Sequence, residues 1–161
     1  MLKIHLISTR GNLLREDLSG IITDARSLKQ YHSELLRLCK EKQGVGVSAN
    51  QLGLKENFFF VTAGAKFPTN SGKNYAAANI CANPTWRSNG QSSLVDSTEG
   101  CLSLPGRDFV VLREGIIDAE WTNVLGHRIR RKLKGWPARV FQHEHDHLRG
   151  VTLLESGKEV K

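Results

Sequence analysis

Gln142-His143-Glu144-His145-Asp146-His147 is the stretch on which the reading of this chain turns. It contains H-E-x-x-H, with His143 and His147 four residues apart. On a helix that spacing puts both imidazoles on one face, about one turn apart along the axis. Two neutral imidazoles can then hold one metal ion, with Glu144 beside them as a proton carrier. His145 is two positions from either ligand and points to the other side. Two histidines alone make an incomplete site.

The search for a third ligand first runs downstream, where the chain is short. The extended H-x-x-G-x-x-H pattern would want a ligand at position 153, and Leu153 stands there. Beyond His147 the ligand types are Glu155 and Glu159, in a polar tail with no further helix expected to hold them. The third ligand is therefore expected upstream, unlike in the common metallopeptidases. There Glu99-Gly100-Cys101-Leu102-Ser103-Leu104-Pro105 stands out. Cys101 sits in a glycine-containing turn, off any amphipathic stripe. One sulfur and two imidazoles leave a fourth position open, the layout of a catalytic rather than a structural centre. Cys39 falls on an apolar helical stripe and Cys81 in a short apolar run, so both read as core thiols. Asp146 and Glu99 flank the ligands and are placed to orient imidazoles, with Arg113 or Arg139 to neutralise one of them; sequence leaves that pairing open.

Around this site the periodicity predicts a helix over 23–43, with Leu28, Tyr31, Leu35, Leu38 and Cys39 on its apolar face. Thr23 or Asp24 is its expected cap, and Gly44 its end. Gly44-Val45-Gly46-Val47-Ser48-Ala49-Asn50-Gln51 follows. It lacks a phosphate-loop lysine, and alone it reads as a tight turn into a strand or a backbone that something approaches closely. Strands are expected over 57–62, 76–82, 108–112, 115–121 and 127–133. The 63–75 stretch reads as a surface loop, Asn89-Gly90 as a hairpin turn, and residues 1–22 as an irregular arm. The 127–133 strand carries Arg128, Arg130, Lys132 and Lys134 on one face, which suits a guarded sheet edge. Pro137 opens the last helix and Gly150 ends it.

The 161-residue chain fits one domain. Hydrophobic content is 39% and charged content 24%, ordinary for a soluble globular protein. No apolar run approaches a membrane span, and the first residues are too polar for a signal peptide. Three cysteines without a C-x-x-C pair argue against a disulfide framework. The net charge of +7 invites polyanions, but no nucleic-acid motif accompanies it, so no specific nucleic acid is expected.

Three motifs together, 44–51, Glu99-Gly100-Cys101-Leu102-Ser103 and 142–147, resemble the peptide deformylase family in order and separation. Gly135-Trp136-Pro137-Ala138-Arg139 adds to the likeness. The resemblance implies removal of the formyl group from N-formylmethionine at the start of new polypeptides. It implies metal ligands at Cys101, His143 and His147, a catalytic glutamate at Glu144, and oxyanion donors at the Gln51 side chain and the Leu102 backbone N–H. Substrate is expected along Gly44, Val45, Gly46 and Gly100. The implied cofactor is one divalent ion, natively Fe(II), with Zn, Ni or Co tolerated. The chain departs from the pattern at Ser48, where the family usually has alanine. It also stops soon after Leu154, without the long C-terminal helix associated with ribosome docking. The ribosome is therefore at most a weak partner, and a monomer in the cytoplasm, with an organelle not excluded, is expected. The implied fold is α+β, with antiparallel sheets around a central C-terminal HExxH helix and the 23–43 helix packed outside. Two other readings stand beside this one: another metallopeptidase or amidase, and a non-catalytic metal- or RNA-binding domain.

Overall fold

The computed structural model describes Leu6, residues 12–68 and residues 78–160. Residues 1–5 and 7–11 of the expected N-terminal arm, His5 among them, and the 69–75 part of the expected loop lie outside the described residues. In chain order the elements are α1 (His32–Glu41), β1 (Gly46–Ser48), β2 (Phe58–Thr62), β3 (Ala78–Ser88), β4 (Leu94–Gly100) and β5 (Asp108–Glu114). They continue with β6 (Ile116–Thr122), β7 (Arg128–Lys134), α2 (Trp136–Leu148), α3 (Leu153–Ser156) and β8 (Gly157–Glu159).

Two antiparallel sheets form. One has five strands in the order β1-β2-β3-β6-β7, the other three in the order β4-β5-β8. The chain is thus mixed α and β, with antiparallel sheets and a helix near its C-terminal end. Phe58, Phe59 and Phe60 are fully buried on β2, as a strand covered on both faces requires. Phe59 meets Phe141 of α2 edge-on, with ring centroids 5.0 Å apart. Helix α2 packs against β1, β2, β6 and β7 of the larger sheet and β5 of the smaller one. Among the described residues no helix is long and apolar enough to cross a membrane.

Several expectations are corrected. The helix expected over 23–43 becomes α-helical at His32, after a 3-10 turn over Ser27–Tyr31. Thr23 does not cap it. Its hydroxyl accepts from the Asn57 N–H at 2.7 Å, and its own backbone N–H and C=O are bonded to the Asn83 side chain. The strand expected to stop at Asn83-Pro84 runs through to Ser88. A bulge between Ala82 and Thr85 absorbs the proline, with Asn83 at φ +50°. Asn89-Gly90 is not a hairpin turn. Its flanking strands belong to different sheets, and the Asn89 amide donates to Asp118 at 3.0 Å. Strand β4 was not expected, because all its residues but Glu99 are exposed and no apolar alternation marks it. Phe67, placed in a surface loop by its composition, is buried beside Trp121 and Phe141. The tail is also ordered: α3 and β8 follow, and Glu159 pairs with Arg107 at 2.7 Å. β7 lies at the edge of the larger sheet, and Arg128 and Arg130 both reach Glu120 of the neighbouring strand.

Candidate metal centre

Helix α2 and the end of β4 bring three ligand atoms together. Cys101 follows β4 directly, and His143 and His147 stand one turn apart on α2. The ligand atoms of all three lie within 4.8 Å of one another. The Cys101 sulfur is 3.2 Å from His147 Nε2. His143 turns its Nδ1 to Glu99 Oε2 at 2.9 Å, which leaves Nε2 for the cluster. Burial, followed by the charge of His143, holds His147 well below the ordinary imidazole range, so its ring keeps a lone pair. Burial also disfavours charge on His143. The bonds to Cys101 and Glu99 outweigh it and push that ring up to about 10. The cluster therefore attracts a proton where a cation would compete for the same lone pairs, and its sulfur and nitrogens fit a divalent metal. Cys39 and Cys81 take no part: burial pushes the first up to about 12 and the second well above the usual thiol range.

The pairing that sequence left open involves both arginines. Arg113, from β5, grips Glu99 with two bonds of 3.0 Å and also donates to Asp146. Arg139, from the first turn of α2, donates to Glu99 at 2.7 Å and to the Val95 and Val111 carbonyls. Two arginines, from β5 and α2, thus fix one carboxylate at the end of β4, and that carboxylate fixes His143.

Glu144 is 3% exposed and faces β1. The Ser48 hydroxyl lies 2.7 Å from its Oε2 and 2.8 Å from its main-chain oxygen. A Cβ on Gly46 would collide with Oε1 of the same carboxylate, so glycine is required there by close approach. A Cβ on Gly44 would come within 2.7 Å of the Leu102 side chain. Both glycines thus also make room for protein side chains, beyond the substrate strand expected of them. Gln51 is held from behind: its Oε1 accepts from the Ser48 N–H at 2.8 Å. Its amide nitrogen consequently points to Ser103 Oγ at 2.9 Å and towards the Cys101 sulfur at 3.6 Å.

A cleft of about 490 Å³ opens on this cluster. Gly44, Val45, Gly46, Gln51, Gly100, Cys101, Leu102, His143 and Glu144 all line it. His147 is 1% exposed and is not among the lining residues. Trp136 and Val140 also line the cleft, and sequence reasoning missed both. Trp136 was within reach, since it belongs to the 135–139 motif; its indole N–H donates to the Gly64 carbonyl at 2.8 Å. A larger groove, about 620 Å³ over β3, β6 and β7, contains none of these residues.

A family model described as polypeptide deformylase matches residues 3–161. A peptide deformylase of Thermus thermophilus is 36% identical over 148 residues, spanning 87% of this chain and 71% of the relative. The crystal structure of peptide deformylase from Thermotoga maritima superposes with a TM-score of 0.79 at 25% identity, covering 97% of this chain and 98% of that one. A probable peptide deformylase from Synechococcus phage S-SSM7 gives a TM-score of 0.78 at 26% identity, covering 96% and 99%.

Proposed function

The chain belongs to the polypeptide deformylase family, and on that premise we propose that Cys101, His143 and His147 hold the metal of its hydrolytic site. The enzyme is a metal-dependent hydrolase that removes the formyl group from the N-terminus of newly made polypeptides and releases formate. The observation that carries the assignment is the meeting of three ligand atoms within 4.8 Å beside a buried glutamate and a pre-aimed amide. Sulfur with two imidazoles suits Fe(II), Zn, Ni or Co over Mg or Ca, and Fe(II) is our reading of the native ion.

When bound, the ion acts as a Lewis acid and makes a water acidic enough to lose its proton near neutral pH. Glu144 takes that proton as the water oxygen adds to the formyl carbon. Burial raises the Glu144 carboxyl above the ordinary range, partly offset by the charge of His143 and the bond to Ser48, which suits a base that must later act as an acid. Charge develops on the formyl oxygen, and Gln51 Nε2 and the Leu102 N–H donate to it. Each such donor is worth about 2.7–4 kcal/mol in the transition state. The C–N bond then breaks, Glu144 returns the proton to the leaving amine, and formate departs. β1 is an edge strand, so its free side suits a peptide added as a further strand along Gly44, Val45 and Gly46, with Gly100 on the other bank of the cleft.

In this reading residues 1–161 act as one catalytic unit. The contacts of α2 with strands of both sheets support placing it centrally, with α1 outside. The unit works as a monomer on formylmethionyl chains, in the cytoplasm or an organelle that makes them, and meets the ribosome only weakly through its +7 charge. The test is purification without oxygen, measurement of bound metal, and assay of formate release from formyl-Met-Ala-Ser. One metal per chain with formate release is expected, and loss of both in Cys101→Ala. Bound metal without formate release would overturn the assignment.

A further inference from the structure

Ser48 departs from the alanine that the resemblance implies, and a fully buried hydroxyl needs a partner. Two acceptors on Glu144 lie within reach of its single hydrogen: the carboxylate Oε2 at 2.7 Å and the main-chain oxygen at 2.8 Å. Strand geometry explains how it reaches them. Gly46 and Ser48 are two residues apart on β1 and so face the same side, towards α2. Val47, between them, is buried in the core. Gly46 supplies space for Oε1, since a Cβ there would displace it. Ser48 supplies a donor for Oε2. The two positions form a seat for one carboxylate, open above and bonded at one corner.

We propose that Ser48 is a positioning residue for Glu144: its hydroxyl pins Oε2 to β1 and so fixes the direction in which the carboxylate meets the attacking water. The inference rests on the functional reading above, because it acts through Glu144 as the proton carrier. A charge-assisted bond of this kind restrains a side chain that otherwise has several rotamers. It does so without touching substrate or metal. Ser48 has a second link to the site, a capping box in which its side chain accepts from the Gln51 backbone N–H and its own backbone N–H donates to the Gln51 side chain. Its backbone N–H orients Gln51 and is present whatever residue stands at 48. Removing the hydroxyl therefore takes away the pin together with the side-chain half of the capping box, and leaves in place the backbone bond that aims the Gln51 amide.

The experiment uses the full-length metal-loaded enzyme and formyl-Met-Ala-Ser, with kcat and KM measured separately for wild type, Ser48→Ala and Ser48→Cys. Alanine removes the donor, and cysteine fills the space with a poor one. Both variants are expected to lose roughly tenfold in kcat while KM stays within about twofold and bound metal is unchanged. A purely structural role would lower the melting temperature without this split. Unchanged kcat in Ser48→Ala, wild-type kcat in Ser48→Cys, or a loss confined to KM or metal content would overturn the inference. Each of these leaves an active wild type. A metal-loaded wild type that releases no formate is a different outcome, and it overturns the functional reading together with the inference built on it.

Discussion

Glu99 and Glu120 are each held between two arginines, in two regions that differ mainly in water. Glu99, with a side chain only 5% exposed, lies against Arg113 at 3.0 Å and Arg139 at 2.7 Å. Glu120 meets Arg128 and Arg130, whose side chains are 67% and 72% exposed, on the outer edge of the larger sheet. Both clusters put one carboxylate between two guanidinium groups. On the edge strand the charges are already solvated, and forming the pairs exchanges one good environment for another. Under the metal cluster the charges have left water, so each depends on the others being present. Only the buried cluster can hold an imidazole in a fixed direction, because its own members have nowhere else to go.

The largest effect is expected from Glu99→Gln. It leaves Arg139 without a carboxylate and Arg113 with Asp146 alone, and should cost about 3–5 kcal/mol in urea unfolding. It also frees His143, and metal affinity should fall about 10–100-fold in a competition titration. A variant with wild-type stability and affinity would show that burial does not distinguish the two clusters. The second prediction concerns acid. Burial pushes the Glu99 carboxyl up, but bonds from His143 and Arg113 outweigh it and hold it at about 2, below its ordinary 4.5. A folded-state value below the unfolded one gives stability that is full above pH 4.5 and is lost as the pH falls towards 2. Unfolding of wild type and Glu99→Gln followed against pH should show a difference that shrinks through that window by about 3 kcal/mol. A constant difference would contradict the assigned shift. Third, Glu99→Met and Arg113→Met made together should be less harmful than the sum of the single changes, with a coupling of about 0.5–3 kcal/mol in a double-mutant cycle. Additivity would mean that the pair is not coupled. The smallest effect belongs to the exposed cluster. Glu120→Gln should leave the melting temperature within error of wild type in low salt and high salt alike, and a clear drop would refute the comparison from its other side.

What sequence could foresee divides along the same line. The spacing of His143, Glu144 and His147 is written in one helical turn, and the shortage of ligands after it pointed back to Cys101. Gln51 entered through motif likeness. The members of the web around Glu99 were named from the sequence but their pairing was not legible, because positions 99, 113, 139 and 146 meet only once two strands and a helix have packed. β4 was missed for a related reason: it shows solvent on nearly every residue and so carries no period of two. Asn83-Pro84 looked like a strand end because a proline normally ends ladder bonding. A bulge tolerates it, and a bulge depends on what lies opposite. The seat for Glu144 shows the same limit at one residue's scale. Ser48 was visible as a departure from pattern, but its partner lies on a helix nearly a hundred residues later.

The central claim is that Glu144 carries the proton at a metal centre made by Cys101, His143 and His147. Its most direct test is Glu144→Gln, with bound metal and formate release from formyl-Met-Ala-Ser measured on the same preparation. The account predicts full metal occupancy and turnover reduced by about 10²–10⁴-fold. Near-native formate release by that variant would contradict it.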